Sequence, residues 1–263
     1  MANKSSKKTA LITGSSGGIG YAMAEQFAKD GVNLVLVARR VDLLEDHAVR
    51  WRKQYGVEVA VIAADFSEIG AAHTVKDNVA SKGIVVDFLV NNAGFGSFGL
   101  FLDADIQNMI AMIRLNIESL TILTKLFLPE IVARHGKILN VASTAAFQPG
   151  PFMAVYYATK AYVLSFSEAL ASELEGTGVT VTALCPGPTA SGFQDKAAMQ
   201  DSPLVKGKRL PSAEKVAVAG YHAMQRGQRV YIPGLMNWFL AQTIRFTPRK
   251  MVTKIVKHLS RPA

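Results

Sequence analysis

A single cysteine, Cys185, occurs in the 263 residues, so no disulfide can form within the chain and nothing in the sequence asks for an oxidising compartment. The five histidines (His47, His73, His135, His222, His258) are scattered without metal-ligand spacing, and no metal centre is expected. Acidic residues are in deficit: 20 Asp and Glu stand against 29 Lys and Arg, a formal net charge of +9. That balance suits an anionic partner such as a phosphorylated cofactor, an acidic carrier or a membrane surface, or serves solubility alone. No stretch forms a dedicated nucleic-acid motif, and no nucleic-acid partner is expected. No apolar run is long enough to span a bilayer. The polar start, Met1 to Lys8, lacks the apolar core of a signal peptide. The expected location is cytoplasmic, with peripheral membrane contact as the disfavoured alternative. Charged residues are also few, 19% against 49% hydrophobic, which indicates a large buried core rather than disorder.

Short β-branched runs alternate with helical patterns along the whole chain. Strands are predicted over Thr9–Thr13, Asn33–Ala38, Val57–Ala63, Val85–Asn91, Lys137–Ala142, Val179–Leu184 and Arg229–Ile232. Helices are predicted over Gly18–Lys29, Val41–Tyr55, Asp105–Arg134, Val155–Glu175 and Ser212–Arg226, with a last one starting near Pro248. Unbroken apolar strands separated by helices indicate an α/β fold, a parallel sheet buried on both faces. No internal repeat, low-complexity tract or linker divides residues 1–263, so a single domain is expected.

The first strand runs into Thr13-Gly14-Ser15-Ser16-Gly17-Gly18-Ile19-Gly20. Glycines at 14, 18 and 20 permit a tight strand-to-helix turn and let backbone approach a pyrophosphate at the helix N-terminus. The spacing differs from G-x-G-x-x-G, but the place between a strand and a helix is the right one. At the end of the second strand, dinucleotide sites that take NAD place an acid against the ribose 2′-hydroxyl. Here Ala38 is followed by Arg39 and Arg40. Nothing acidic repels a 2′-phosphate, and a guanidinium can grip it bidentately and stack on adenine. Asp65, before Phe66, could accept from the adenine amino group or cap a helix. Asn91-Asn92-Ala93-Gly94 closes the fourth strand with small and amide residues suited to packing on a ribose and to tying strands together.

Tyr156 and Lys160 are four residues apart in a predicted helix and so share a face. A phenol with an ordinary pKa of about 10 is drawn towards neutrality by a nearby ammonium, and bringing it there amounts to about 4 kcal/mol. Such a phenol exchanges protons usefully near pH 7. Tyr157, on another face, is assigned to packing. Ser143 ends the fifth strand, where strand ends open onto a crevice, and its hydroxyl could bond a substrate carbonyl oxygen. Asn116 interrupts an apolar helix and is expected to hold a local break and a water. Pro186-Gly187-Pro188-Thr189 follows the sixth strand and could reach a nicotinamide carboxamide.

Taken in order from Thr13 to Thr189, these motifs resemble the short-chain dehydrogenase/reductase family, in its NADP(H)-preferring, carbonyl reductase-like branch. The resemblance implies a Rossmann-type doubly wound sheet of seven strands and hydride transfer between nicotinamide and a carbonyl or secondary alcohol. It implies Asn116, Ser143, Tyr156 and Lys160 as the catalytic set. Tyr156 exchanges the proton, Lys160 holds the nicotinamide ribose, Ser143 polarises the carbonyl and Asn116 keeps a water. It implies an NADP(H) site made by Gly14, Ser16, Gly18, Ile19, Gly20, Arg39, Arg40, Asp65, Phe66, Asn92, Ala93, Pro186, Gly187 and Thr189 together with Tyr156 and Lys160.

Departures from the pattern carry information too. Many family members end soon after the last strand with a Gly-Gly turn, whereas this chain has Val230-Tyr-Ile-Pro-Gly234 and continues to Ala263. This helical extension, 235–263, argues against a tetramer through the usual C-terminal contact. It leaves a homodimer through the long central helices as the expectation and a tetramer as the alternative. Residues 189–210 are expected to form a substrate lid. Phe95, Phe98, Phe101, Phe147, Phe152, Met153 and Phe193, joined by Leu235, Met236, Trp238 and Phe239, are candidates for an apolar pocket that takes a bulky ketone or 3-oxoacyl substrate. In the last helix Met251, Val252, Ile255, Val256 and Leu259 form one stripe, expected to pack on its own domain or a dimer partner rather than on a membrane. The alternatives are a hydroxysteroid-type dehydrogenase working on a secondary alcohol, and a non-catalytic NADP-binding sensor or scaffold.

Overall fold

The structure is a computed structural model and describes residues 7–193, 197, 207 and 209–261. Seven parallel strands form one sheet: β1 (Thr9–Thr13), β2 (Asn33–Ala38), β3 (Val59–Ala63), β4 (Phe88–Asn91), β5 (Lys137–Val141), β6 (Thr180–Leu184) and β7 (Val230–Tyr231). Their order is β3-β2-β1-β4-β5-β6-β7, so the winding reverses between β1 and β4. Helices α1 (Gly18–Lys29), α2 (Val41–Tyr55) and α3 (Ala71–Ser81) follow the first three strands. Next come α4 (Ile106–Ile113), α5 (Leu120–Ala133), α6 (Ala154–Glu173) and α7 (Ala213–Gln225). Two more, α8 (Leu235–Thr243) and α9 (Arg249–Ser260), follow the sheet.

Alternation along the strands divides the core in two. Ile12, Leu34, Leu36 and Val90 face α1, α2 and α7 and pack with Met23, Phe27, Trp51 and Met224. Their neighbours Leu11, Val35, Val37 and Leu89 point the other way, onto Val75 and Val79 of α3, Phe127 and Ile131 of α5 and Leu170 of α6. Each such fully buried Leu or Phe contributes about 2–3 kcal/mol by leaving water, which is why a sheet covered on both faces reads as unbroken apolar strands.

Several boundaries differ from expectation. The fourth strand begins at Phe88, just after Asp87, whose backbone bonds Thr9 and Lys137 and whose carboxylate accepts from the Thr9 amide at 2.8 Å and from Arg134 Nε at 2.5 Å. Helix α3 went unpredicted, since its polar run buries only Ala72, Val75 and Val79 and starts behind a left-handed Gly70 instead of a side-chain cap. The expected helix over 105–134 is capped by Asp105, which accepts from the amides of Gln107 and Asn108. It is then broken into α4, a π-helical stretch Arg114–Ser119, and α5. Asn116 lies inside that π stretch, so the local break inferred from its misplaced polarity is real. The C-terminal stripe is divided: Val252 and Val256 are buried, while Met251, Ile255 and Leu259 face solvent.

Candidate active site

A cavity of about 550 Å³ opens along the carboxyl ends of the strands at the point where the winding reverses, the position where open α/β sheets bind ligands. Of the residues singled out from sequence, Gly14, Ser16, Gly18, Ile19, Arg39, Arg40, Asp65, Phe66, Asn92, Ala93, Ser143, Tyr156, Lys160, Pro186, Gly187 and Thr189 line it. Gly20 and Asn116 do not, and each works from behind the wall.

At one end the turn after β1 bends through Gly14 and Gly18, both at positive φ. Helix α1 then starts with no side-chain cap and no acid in its first turn, so its leading N–H groups and positive dipole end point into the cavity. Gly20 lets helix and sheet close up: a Cβ there would stand 2.3 Å from Asn92 Nδ2 and 2.5 Å from the Gly14 carbonyl oxygen. Asn92 fastens β4 to β1, its Nδ2 donating to the Thr13 carbonyl at 2.8 Å. The Thr13 hydroxyl in turn accepts from the amides of Asn92 and Ala93 at 3.0 and 2.9 Å.

Both arginines after β2 reach this end. Arg40 donates to the Ser16 hydroxyl at 3.2 Å, and Arg39 pairs with Asp65 at 3.3 Å. The other Asp65 oxygen accepts from the Ser67 amide and hydroxyl at 3.0 and 2.6 Å, closing a local turn; the cap position of α3 belongs to Gly70 instead. Burial pushes the Asp65 carboxyl up, but the Ser67 bonds and the Arg39 charge outweigh it and hold the group below its ordinary range.

Tyr156 and Lys160, one turn apart on α6, are both buried at the other end. Lys160 Nζ donates to the Val141 carbonyl at 2.7 Å and stands 5.9 Å from the centre of the Tyr156 ring. Ser143, in extended backbone just past β5, donates to the Pro186 carbonyl at 3.3 Å and hydrogen-bonds the Tyr156 phenol. The phenol is not drawn down as the Tyr/Lys spacing suggested. Burial pushes it well above its ordinary value, with the Ser143 hydroxyl opposing, and burial also brings Lys160 down to about 8. The reason is that one low-dielectric site disfavours both charges, and the ammonium spends its close hydrogen bond on a backbone carbonyl.

Asn116 bonds protein groups through both ends of its amide. Its Nδ2 donates to the Phe95 carbonyl and to Thr159 Oγ1, each at 3.0 Å, and its Oδ1 accepts from the Phe95 amide at 3.2 Å. It thereby fixes the backbone of Gly94 and Phe95, where a Cβ on Gly94 would stand 3.4 Å from Lys160 Nζ.

Among the candidate pocket residues, Phe95, Met153 and Phe193 line the cavity, and the Phe193 ring lies 5.3 Å from that of Tyr156. Phe98 sits behind them against Phe152, and Phe147 packs under α6 and β6 with Leu164 and Cys185. Phe101, in a short turn after β4, faces solvent and does not join; nor do Leu235, Met236, Trp238 and Phe239, because α8 turns its inner side, through Ala241 and Asn237, against the core. Tyr157 packs against Gly150 as expected but also lines the cavity. Gln148 is a wall residue that sequence reasoning missed; its one signal was a lone amide after the Ala145-Ala-Phe147 run. The lid expected over 189–210 falls largely outside the described residues. Among the described residues no helix is long and apolar enough to cross a membrane.

The chain is similar to known proteins in sequence and fold. The sequence model of the short chain dehydrogenase family matches residues 8–202. The chain is 37% identical over 182 residues to the human very-long-chain 3-oxoacyl-CoA reductase, covering 67% of this chain but only 58% of that protein. It is 37% identical over 180 residues to a 7beta-hydroxysteroid dehydrogenase of Collinsella aerofaciens, covering 68% of each. A solved short-chain dehydrogenase from Sphingobium yanoikuyae, in complex with NADPH, superposes with a TM-score of 0.80 at 31% identity over 91% of this chain and 94% of that one.

Proposed function

Because the chain belongs to the short-chain dehydrogenase/reductase family, an enzyme family acting between CH–OH and carbonyl groups, we propose that it is an NADP(H)-dependent reductase of bulky hydrophobic ketones or 3-oxoacyl thioesters. One observation carries this reading. The phenol of Tyr156 and the hydroxyl of Ser143 meet at one point of the cavity, beside Lys160 and under the apolar wall of Phe95, Met153 and Phe193.

The residues present fit NADP(H). The uncapped start of α1 and the close approach at Gly20 suit a pyrophosphate, with Ser16 and Ile19 on the same wall. Arg39 and Arg40 suit the 2′-phosphate, Asp65 and Phe66 would border the adenine, and Asn92 and Ala93 would border a ribose. Pro186, Gly187 and Thr189 would face the nicotinamide end, where the Lys160 ammonium would hold the ribose hydroxyls. When bound, the cofactor supplies the hydride. Ser143 donates a hydrogen bond to the substrate carbonyl oxygen, and Tyr156 delivers its proton to the same atom as charge develops there. A phenol that burial keeps protonated is the form from which reduction starts, and Lys160, near 8, is mostly ammonium at neutral pH. Asn116 acts as a positioning residue for the Gly94–Phe95 backbone beside Lys160. The assembly we propose is a homodimer through the long central helices, α4–α5 and α6, with a tetramer as the alternative.

The apolar wall supports a bulky substrate, and the acyl and steroid relatives support the same class. Oxidation of a hydroxysteroid runs through the same groups in reverse and is the second reading, favoured by the 7beta-hydroxysteroid dehydrogenase likeness. The test is NADPH and NADH consumption over small and bulky ketones and 3-oxoacyl thioesters, with Tyr156→Phe alongside. Faster turnover of bulky substrates with NADPH, and loss of at least about a hundredfold in the variant, is the expected result. Equal turnover by Tyr156→Phe, or a preference for small polar ketones, would contradict the reading.

A further inference from the structure

Past the sheet, α8 and α9 hold themselves to the protein by one side only. Ala241 and Asn237 anchor α8, and Val252, Val256 and Ser260 anchor α9. On the outer side of α8, Leu235 is 89% exposed, and Met236, Trp238, Phe239 and Leu240 are each more than half exposed. Phe246, between the helices, is 88% exposed. Met251, Ile255 and Leu259 continue as a ridge along α9, four residues apart and half exposed. Isolated exposed apolar side chains are ordinary, but a run of this density over 25 residues is not.

Charge on the same stretch has one sign. Beyond Glu214 the chain contains no Asp or Glu, while Arg245, Arg249, Lys250, Lys254, Lys257 and Arg261 are all exposed. At helical spacing, Lys250, Lys254, Lys257 and Arg261 share a sector of α9, and the Met251–Ile255–Leu259 ridge lies between that sector and the buried stripe. From this we propose that residues 235–261 form a docking face for an anionic lipid surface, with the apolar side chains entering the acyl boundary and the cations meeting the phosphates.

Two physical arguments favour lipid over a second copy of the chain. A two-fold contact places a patch on itself, so the six cations of one copy would confront the six of the other with no acid among residues 235–261 to relieve them. Side chains as bare as Leu235 and Phe246 gain from a fluid acyl phase, which needs no matching shape, and Trp238 is of the type that prefers the bilayer boundary. The inner stripe of α9 packs into the same cluster as Met153 and Tyr157 of the cavity wall. Docking therefore brings the cavity beside a reservoir of apolar substrate. That last consequence rests on the proposed function; the docking itself does not.

The test uses the whole protein with vesicles of phosphatidylcholine, with and without phosphatidylglycerol, at low and high salt. Trp51 is fully buried and Trp238 half exposed, so a blue shift of tryptophan emission reports Trp238 and should vanish in Trp238→Phe. The expected result is co-flotation and a blue shift with anionic vesicles, at least about tenfold stronger than with neutral ones and weakened by salt. Leu235→Ser with Phe246→Ser should abolish both while leaving NADPH binding and turnover of a soluble ketone unchanged. Protein left in the soluble fraction with both vesicle types overturns the proposal, as does flotation that the double substitution leaves intact. A dimer in size-exclusion chromatography that the same substitution dissociates assigns the face to self-association and also overturns it. Failure of the ketone assay with flotation intact would count against the proposed function alone.

Discussion

Replacing Lys160 by Met should make the protein more stable and inactive at once. Burial lowers the Lys160 ammonium from 10.5 to about 8, so between those values the unfolded chain binds a proton that the folded protein does not. Wild-type stability therefore rises as pH increases from about 8 to 10.5, and below pH 8 the fold carries the whole penalty, about 3 kcal/mol. Methionine has a similar length and no charge, so it removes that penalty. It also deprives the Val141 carbonyl of its donor at 2.7 Å, a loss of about 1 kcal/mol. The net gain at pH 7 is about 2 kcal/mol, or a rise in Tm of about 4 °C for a chain of this size. At pH 10 the wild-type penalty has fallen below about 1 kcal/mol, and the two proteins should be nearly equal. Urea unfolding followed by circular dichroism at pH 7 and pH 10 measures both values. A variant less stable than wild type at pH 7, or a difference that does not change with pH, would refute the reasoning that this lysine is held at the expense of the fold. Turnover should be lost at both pH values.

Arg39→Ala with Arg40→Ala removes the two guanidinium groups at the end of β2 and should weaken NADPH binding by about 10- to 100-fold in titration calorimetry while leaving NADH binding nearly unchanged. Gly20→Ala places a methyl group 2.3 Å from Asn92 Nδ2 and 2.5 Å from the Gly14 oxygen; a loss of about 1–3 kcal/mol in urea unfolding and of measurable NADPH binding is expected. Asn116→Ala leaves the Phe95 N–H and C=O without partners and should cost about 2–3 kcal/mol in the same unfolding assay, with kcat falling more than the KM for NADPH rises.

How much of this was legible in the residues follows from the range of each interaction. Strand and helix patterns are local, so Thr9–Thr13, Asn33–Ala38 and Val41–Tyr55 read directly, whereas α3, with three buried side chains in a polar run, carried too little pattern to be seen. Asn116 was visible as a polar residue in an apolar helix, and the π stretch explains it. What it bonds to, the Phe95 backbone and Thr159, lies 21 and 43 residues away and has no sequence signal. The aromatic residues could be counted but not sorted. Phe193 faces the cavity and Phe239 faces solvent because of how α8 turns against the core, which depends on every contact that seats it.

The α/β alternation, the glycine turn after β1, the paired arginines after β2 and the shared face of Tyr156 and Lys160 can be read along the chain, because each rests on neighbours a few residues apart. That Ser143 meets Tyr156, that Lys160 leans on the Val141 carbonyl, and that the phenol is pushed up rather than drawn down emerge only once the chain is folded. Proton affinity in a buried site is set by all the surrounding atoms that exclude water, and those atoms come from strands and helices far apart in the chain.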